Sequence, residues 1–173
     1  MSITRKKHAA KAALVTAALT IAAGAAHAGT PYVFMAIDTT QHGADILEGQ
    51  YDEAIARIRQ DGSADLDFSE STNLCIAYTK SGDTASALES CDRAVDIARE
   101  TNGMRWLAHT SAPYNIRRKD LDLVIALSNR SVVHATAGEE QLALEDLREA
   151  DALKPHLRAV SKNLAVLTEA SAR

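Results

Sequence analysis

The chain has 173 residues, of which 46% are hydrophobic, 24% charged and 4% aromatic, with a formal net charge of −4 and two cysteines. That length suits one domain with a real core. Acidity repels nucleic-acid phosphates and argues against nucleic-acid binding, while many alanines and few aromatic rings favour helices over sheet.

Residues 1–28 have the three-part plan of a secretory signal peptide. Arg5, Lys6, Lys7 and Lys11 form a positive head, Ala12 to Ala23 an apolar run, and Ala26-His27-Ala28 a small-residue cleavage motif. The run is short for a membrane span, which needs roughly 20 apolar residues. Cleavage after Ala28 removes four of the nineteen basic residues and none of the twenty-three acids, leaving a net charge of −8 and no integral span in the mature chain. The expected location is periplasmic or secreted.

Three later stretches align on a glycine: Gly49 in LEGQYDEAIARI, Gly82 in TKSGDTASALESCDRA and Gly138 in ATAGEEQLALEDLREADALKP. Five residues after each lies an alanine, Ala54, Ala87 or Ala143, and four further on an inward residue, Ile58, Cys91 or Leu147. Asp61, Ala94 and Ala150 follow, and Pro155 closes the third unit. Leu74, Cys75 and Tyr78 precede Gly82 at the three- and four-residue spacing of a helix face. The stretch QHGADILEG before Gly49 is short for a helix, and Gly43 weakens it.

Between the second and third units lies ETNGMRWLAHTSAPYNIRRKDLD. Asn102-Gly103 reads as a helix stop and Pro113 as a residue holding the chain extended. The segment, near 101–122, holds Trp106, Arg117 and Arg118 on an otherwise acidic chain, either as a plug between units or as part of a binding surface. In the last stretch Leu157, Val160, Leu164 and Leu167 make one apolar stripe, so 158–173 is expected to be a capping helix. The acids of EEQLALEDLREADALK, Asp146 among them, read as a solvated face. His134 reads as a core or cap residue.

This pattern resembles the tetratricopeptide repeat, a helix–turn–helix unit of 34 residues. The resemblance implies an all-α fold over 29–157: a short right-handed superhelix of about three repeats, ended by the capping helix. It also implies a protein or peptide partner on the concave face lined by first helices. Asn73 and Asn129 fall in one slot of two first helices, on or near that face, where an amide that both donates and accepts can hold a peptide backbone. The alternative is that Asn129 buttresses a local turn. The slots that carry a carboxylate clamp in one branch of the family hold Thr39, Gly43 and Ile125, so binding of chaperone tails is not carried over.

Cys75 and Cys91 both point into the seam between the two helices of the second unit. They are either buried thiols or a disulfide. Export and an even cysteine count favour the bridge, while family packing puts the pair about one turn off closest approach. Zinc-spaced ligands, a nucleophile elbow and a phosphate loop are absent from the sequence, so neither enzyme activity, metal nor cofactor is expected. Two functions follow: an adaptor or scaffold of the bacterial envelope that binds a partner segment, or a structural subunit acting by self-association.

Overall fold

The structure is a computed structural model that describes residues 31–40, 42–61, 66–107 and 113–171, the side chains of 103–107, 113–119 and 171 excepted. The proposed signal peptide, 1–28, lies outside the described residues. These form seven helices and no strand: α1 (Gly43–Leu47), α2 (Tyr51–Asp61), α3 (Phe68–Ser81), α4 (Thr84–Leu107), α5 (Pro113–Thr136), α6 (Glu140–Leu153) and α7 (Arg158–Ser171). None is long and apolar enough to cross a membrane.

The three aligned glycines do one job. Gly49, Gly82 and Gly138 have φ of 78°, 83° and 81°, a region that favours glycine. Each ends an odd-numbered helix, and the next residue's N–H reaches back five residues: Gln50 to Asp45, Asp83 to Tyr78, Glu139 to His134, at 2.8–2.9 Å. After each turn the aligned alanine is fully buried, as are Ile58, Cys91 and Leu147. With no side chain beyond Cβ, Ala54, Ala87 and Ala143 let paired helices approach closely. The start of α3 is fixed by a reciprocal cap, in which Asp67 Oδ1 accepts from Glu70 N at 2.8 Å and Glu70 Oε2 accepts from Asp67 N.

Each helix packs on the next. In addition α1 touches α3, α3 touches α5 and α5 touches α7, whereas among the described residues the even-numbered helices do not approach one another as closely. The odd helices therefore form an inner layer and the even ones an outer layer. Between the layers, Val95, Leu127, Leu147, Val160 and Leu167 lie in one core that joins α4 to α7. Ile58, Leu74, Tyr78, Ala87 and Val133 lie in a second, and Ile46, Ala54, Ile76 and Ala77 in a third under α1.

Two expectations for the segment near 101–122 are corrected. Asn102-Gly103 does not stop the helix: α4 continues to Leu107, because an internal glycine costs only about 1 kcal/mol relative to alanine. Pro113 does not hold the chain extended. It is the first residue of α5, where its missing N–H has no helical partner to lose. Trp106 thus falls on α4, and Arg117 and Arg118 on α5, with side chains outside the described residues.

Cys75 on α3 and Cys91 on α4 are at disulfide distance, their Cα atoms 5.0 Å apart. This corrects the offset expected from family packing. Close approach of α3 and α4 over Ala87 brings the two residues level.

Asp146 is also corrected. It is buried rather than solvated, and the Arg130 guanidinium forks onto it, Nε to Oδ2 at 2.8 Å and a terminal nitrogen to Oδ1 at 2.6 Å. The third nitrogen donates to Asp92 at 2.8 Å. Hydrogen bonds to Asp146 first, against the opposing effect of burial, hold the Arg130 pKa above its already high value. One cation so joins α4, α5 and α6.

Candidate functional site

The inner layer is covered by residues 33–37 of the same chain. These residues form no helix or strand, yet their backbone is held at every second residue by an asparagine from a successive inner helix. Asn163 of α7 accepts from Val33 N at 2.7 Å and donates to Val33 O at 2.9 Å. Asn129 of α5 does the same with Met35, at 2.9 Å and 2.9 Å. Asn73 of α3 does so with Ile37, at 3.0 Å and 2.9 Å. Each amide thus pairs with both polar groups of one residue, as a neighbouring strand would. Those pairings also assign each amide's orientation, since only the nitrogen can donate to a carbonyl.

The geometry follows from two repeats that nearly match. Two residues of extended chain advance roughly 6.5–7 Å, while packed helices stand about 8–10 Å apart. The two spacings are close enough that one residue pair passes per inner helix. Residues 32–38, called the strap below, run from α7 towards α3, opposite to the order of the helices.

The three asparagines are 0–1% exposed, whereas every residue from Tyr32 to Ile37 is half-exposed. Recognition is thus concentrated in the strap's backbone. Its side chains pack from the side: Phe34 and Ala36 against the cluster of Ile46, Ile76 and Ala77, Tyr32 and Met35 against the α4–α7 core. Lys80 Nζ stands 5.1 Å from the centre of the Phe34 ring, a cation–π contact. Burial, and secondarily the Glu140 carboxylate, raises the Tyr32 pKa, so this phenol stays neutral in the site.

Of the candidate residues, Asn73 and Asn129 are brought together on the inner layer as backbone-holding groups, and Asn129 buttresses no turn. Neither Trp106, Arg117 nor Arg118 is placed by a described side chain. His134 is half-buried and bonds Glu139 Oε2 through Nδ1 at 2.7 Å. Among the described residues no group of three His, Cys, Asp or Glu side chains could hold a metal ion. Sequence reasoning missed Asn163 and the strap. Asn163 lies 34 residues after Asn129, the period of the repeat that the sequence resembles, and that spacing could have found it. Comparison with family models, curated proteins and solved structures finds no match.

Proposed function

We propose that the protein is an exported, tetratricopeptide-like interaction module of the bacterial envelope, an adaptor or scaffold whose concave face binds an extended segment of a protein partner. The observation that carries this reading is the asparagine series. Three fully buried amides on successive inner helices each present one acceptor and one donor to a passing backbone. A core gains nothing from such residues as packing, since burying an amide without a partner costs about 1–3 kcal/mol; they are useful where a backbone must be held. This function needs no catalytic group or cofactor. Trp106, Arg117 and Arg118 are assigned, on sequence alone, to the rim of the same surface.

The test is affinity capture from envelope extract with wild-type and Asn129→Ala bait. A protein held by the first and lost by the second supports the module. One held equally by both places binding elsewhere.

A second reading, self-association within an envelope assembly, is favoured by a different observation: every copy carries a segment that fits the clamp. Sedimentation over a range of concentrations separates the two. A dimer that forms without any partner, and is lost in Asn129→Ala, supports the structural subunit.

A further inference from the structure

We infer that the strap is a displaceable internal ligand latched at Gly43, and that the segment which replaces it is an uncharged, extended, aromatic-bearing stretch of a partner protein. This rests on the interaction reading above and adds how access is controlled and what is admitted.

The latch is visible in the packing at the strap's end. After Ile37 the chain turns through Thr39 and Thr40 into α1. Thr40 Oγ1 donates to Ile37 O at 3.3 Å, Gly43 N donates to Thr40 O at 3.2 Å, and Asn73 Nδ2 donates to Thr40 Oγ1 at 3.0 Å. Gly43 is helical and needs no left-handed freedom. A Cβ there would nevertheless collide with the Ile37 carbonyl oxygen and lie 2.8 Å from Asp38 Cα. The end of the seated strap forbids a side chain at this position. His42, also buried, ties the start of α1 to Asp61 at the end of α2 at 3.2 Å, so the wall of the latch is itself anchored.

The ligand's chemistry is read from the occupant. Tyr32 to Ile37 has no charged residue in a chain that is 24% charged. Phe34 sits under Lys80 and beside Ile76, and Tyr32 is near Glu140, which disfavours an added negative charge at that end. The side chains are half-exposed and the backbone carries the paired bonds, so a foreign segment needs the extended form and an apolar, aromatic-bearing pattern rather than one fixed sequence. While latched, the strap competes at an effective concentration on the order of millimolar, as a short tether does. Release at Gly43 is therefore the controlling step.

The test uses the full chain and a fluorescent, amidated peptide with the sequence of residues 31–36, which ends before the Ile37–Asp38 backbone that a side chain at position 43 would strike. Wild type is expected to bind it weakly. Gly43→Val is expected to bind it about tenfold or more tightly, because the competent fraction rises by that factor. Adding Asn129→Ala should abolish the gain, and a peptide with Phe34→Asp should fail to bind. If Gly43→Val does not fold, Thr40→Ala removes two latch bonds without a clash and should shift affinity in the same direction. Peptide affinity unchanged in a variant whose strap amides exchange freely would overturn the proposal, as would binding that survives Asn129→Ala. A Gly43→Val dimer that excludes the peptide would assign the clamp to a second copy's strap and equally overturn it. Capture of an envelope partner that depends on Asn129 but is indifferent to Gly43→Val would keep the interaction reading and remove only the latch.

Discussion

Asn129→Ala is the sharpest perturbation of the clamp, because Asn129 holds the middle of the strap. The substitution removes two hydrogen bonds, both 2.9 Å, from a side chain that is 1% exposed. A net worth of about 0.5–1.5 kcal/mol per bond gives roughly 1–3 kcal/mol. Met35 is half-exposed, so water can reach its freed N–H and C=O, and the loss stays within that range. At about 1.4 kcal/mol per factor of ten, local opening at Met35 becomes roughly 5- to 150-fold more frequent. Native-state amide exchange reads this directly. Protection of Met35 N–H should fall by that factor, and that of Val33 and Ile37 by less, because Asn163 and Asn73 still hold them. Amides in the core, such as those of Val132 and Leu147, should keep their protection. Unchanged protection at Met35 would refute the clamp. Equal loss at Met35 and in the core would show that Asn129 acts on the fold as a whole rather than on the strap.

Replacing Cys75 and Cys91 with alanine should lower unfolding free energy by roughly 3 kcal/mol, the chain-entropy value for a loop near 15 residues, and two free thiols in the unfolded, unreduced protein would refute the bridge. Arg130→Met leaves the buried Asp146 carboxylate without its fork and should cost about 3–5 kcal/mol in denaturant unfolding. Adding Asp146→Leu should recover most of that, and a loss under about 1 kcal/mol for the single variant would show that the pair is not a strong tie between helices. The raised Tyr32 pKa means that the folded state favours the neutral phenol, so its contribution is full below the unfolded value of 10.0 and is lost as pH rises through the folded value. Proteolysis at the strap should therefore accelerate above about pH 10, and Tyr32→Phe should remove that alkaline step. The same acceleration in Tyr32→Phe would assign it to another group.

What was legible in the sequence was local. A glycine that must take positive φ, an alanine five residues on and an inward residue four beyond that are set by one helix end and the next helix, so Gly49, Gly82 and Gly138 mark the turns without knowledge of the rest. The strap is the opposite case. Its bonds join residues 36, 94 and 130 positions apart and use backbone atoms on one side, which no side-chain pattern in YVFMAI betrays. It also hides itself in the helices it covers. Residues 71–78 of α3 and 123–129 of α5 are buried without interruption, with the outer layer on one side and the strap on the other, so neither shows the one-sided periodicity of a surface helix. The ends of α4 and α5 were misread because Gly103 and Pro113 carry average tendencies that a long helix and a first-turn position override.

One regularity ties the legible part to the hidden part. The strap meets an asparagine on α7, α5 and α3 but none on α1. An inner helix needs such a residue only if the strap passes over it, and the strap turns at Thr39–Thr40 to become α1. The glycine at the start of α1 stands where continued passage would otherwise call for a fourth amide, and the close approach of Ile37 and Asp38 to Gly43 takes its place. The number of clamping asparagines is thus set by the number of inner helices the strap crosses before it joins the fold. Extending the stack by one further unit after α7, and so by one inner helix, would have to come with two more strap residues and one more asparagine for the register to hold.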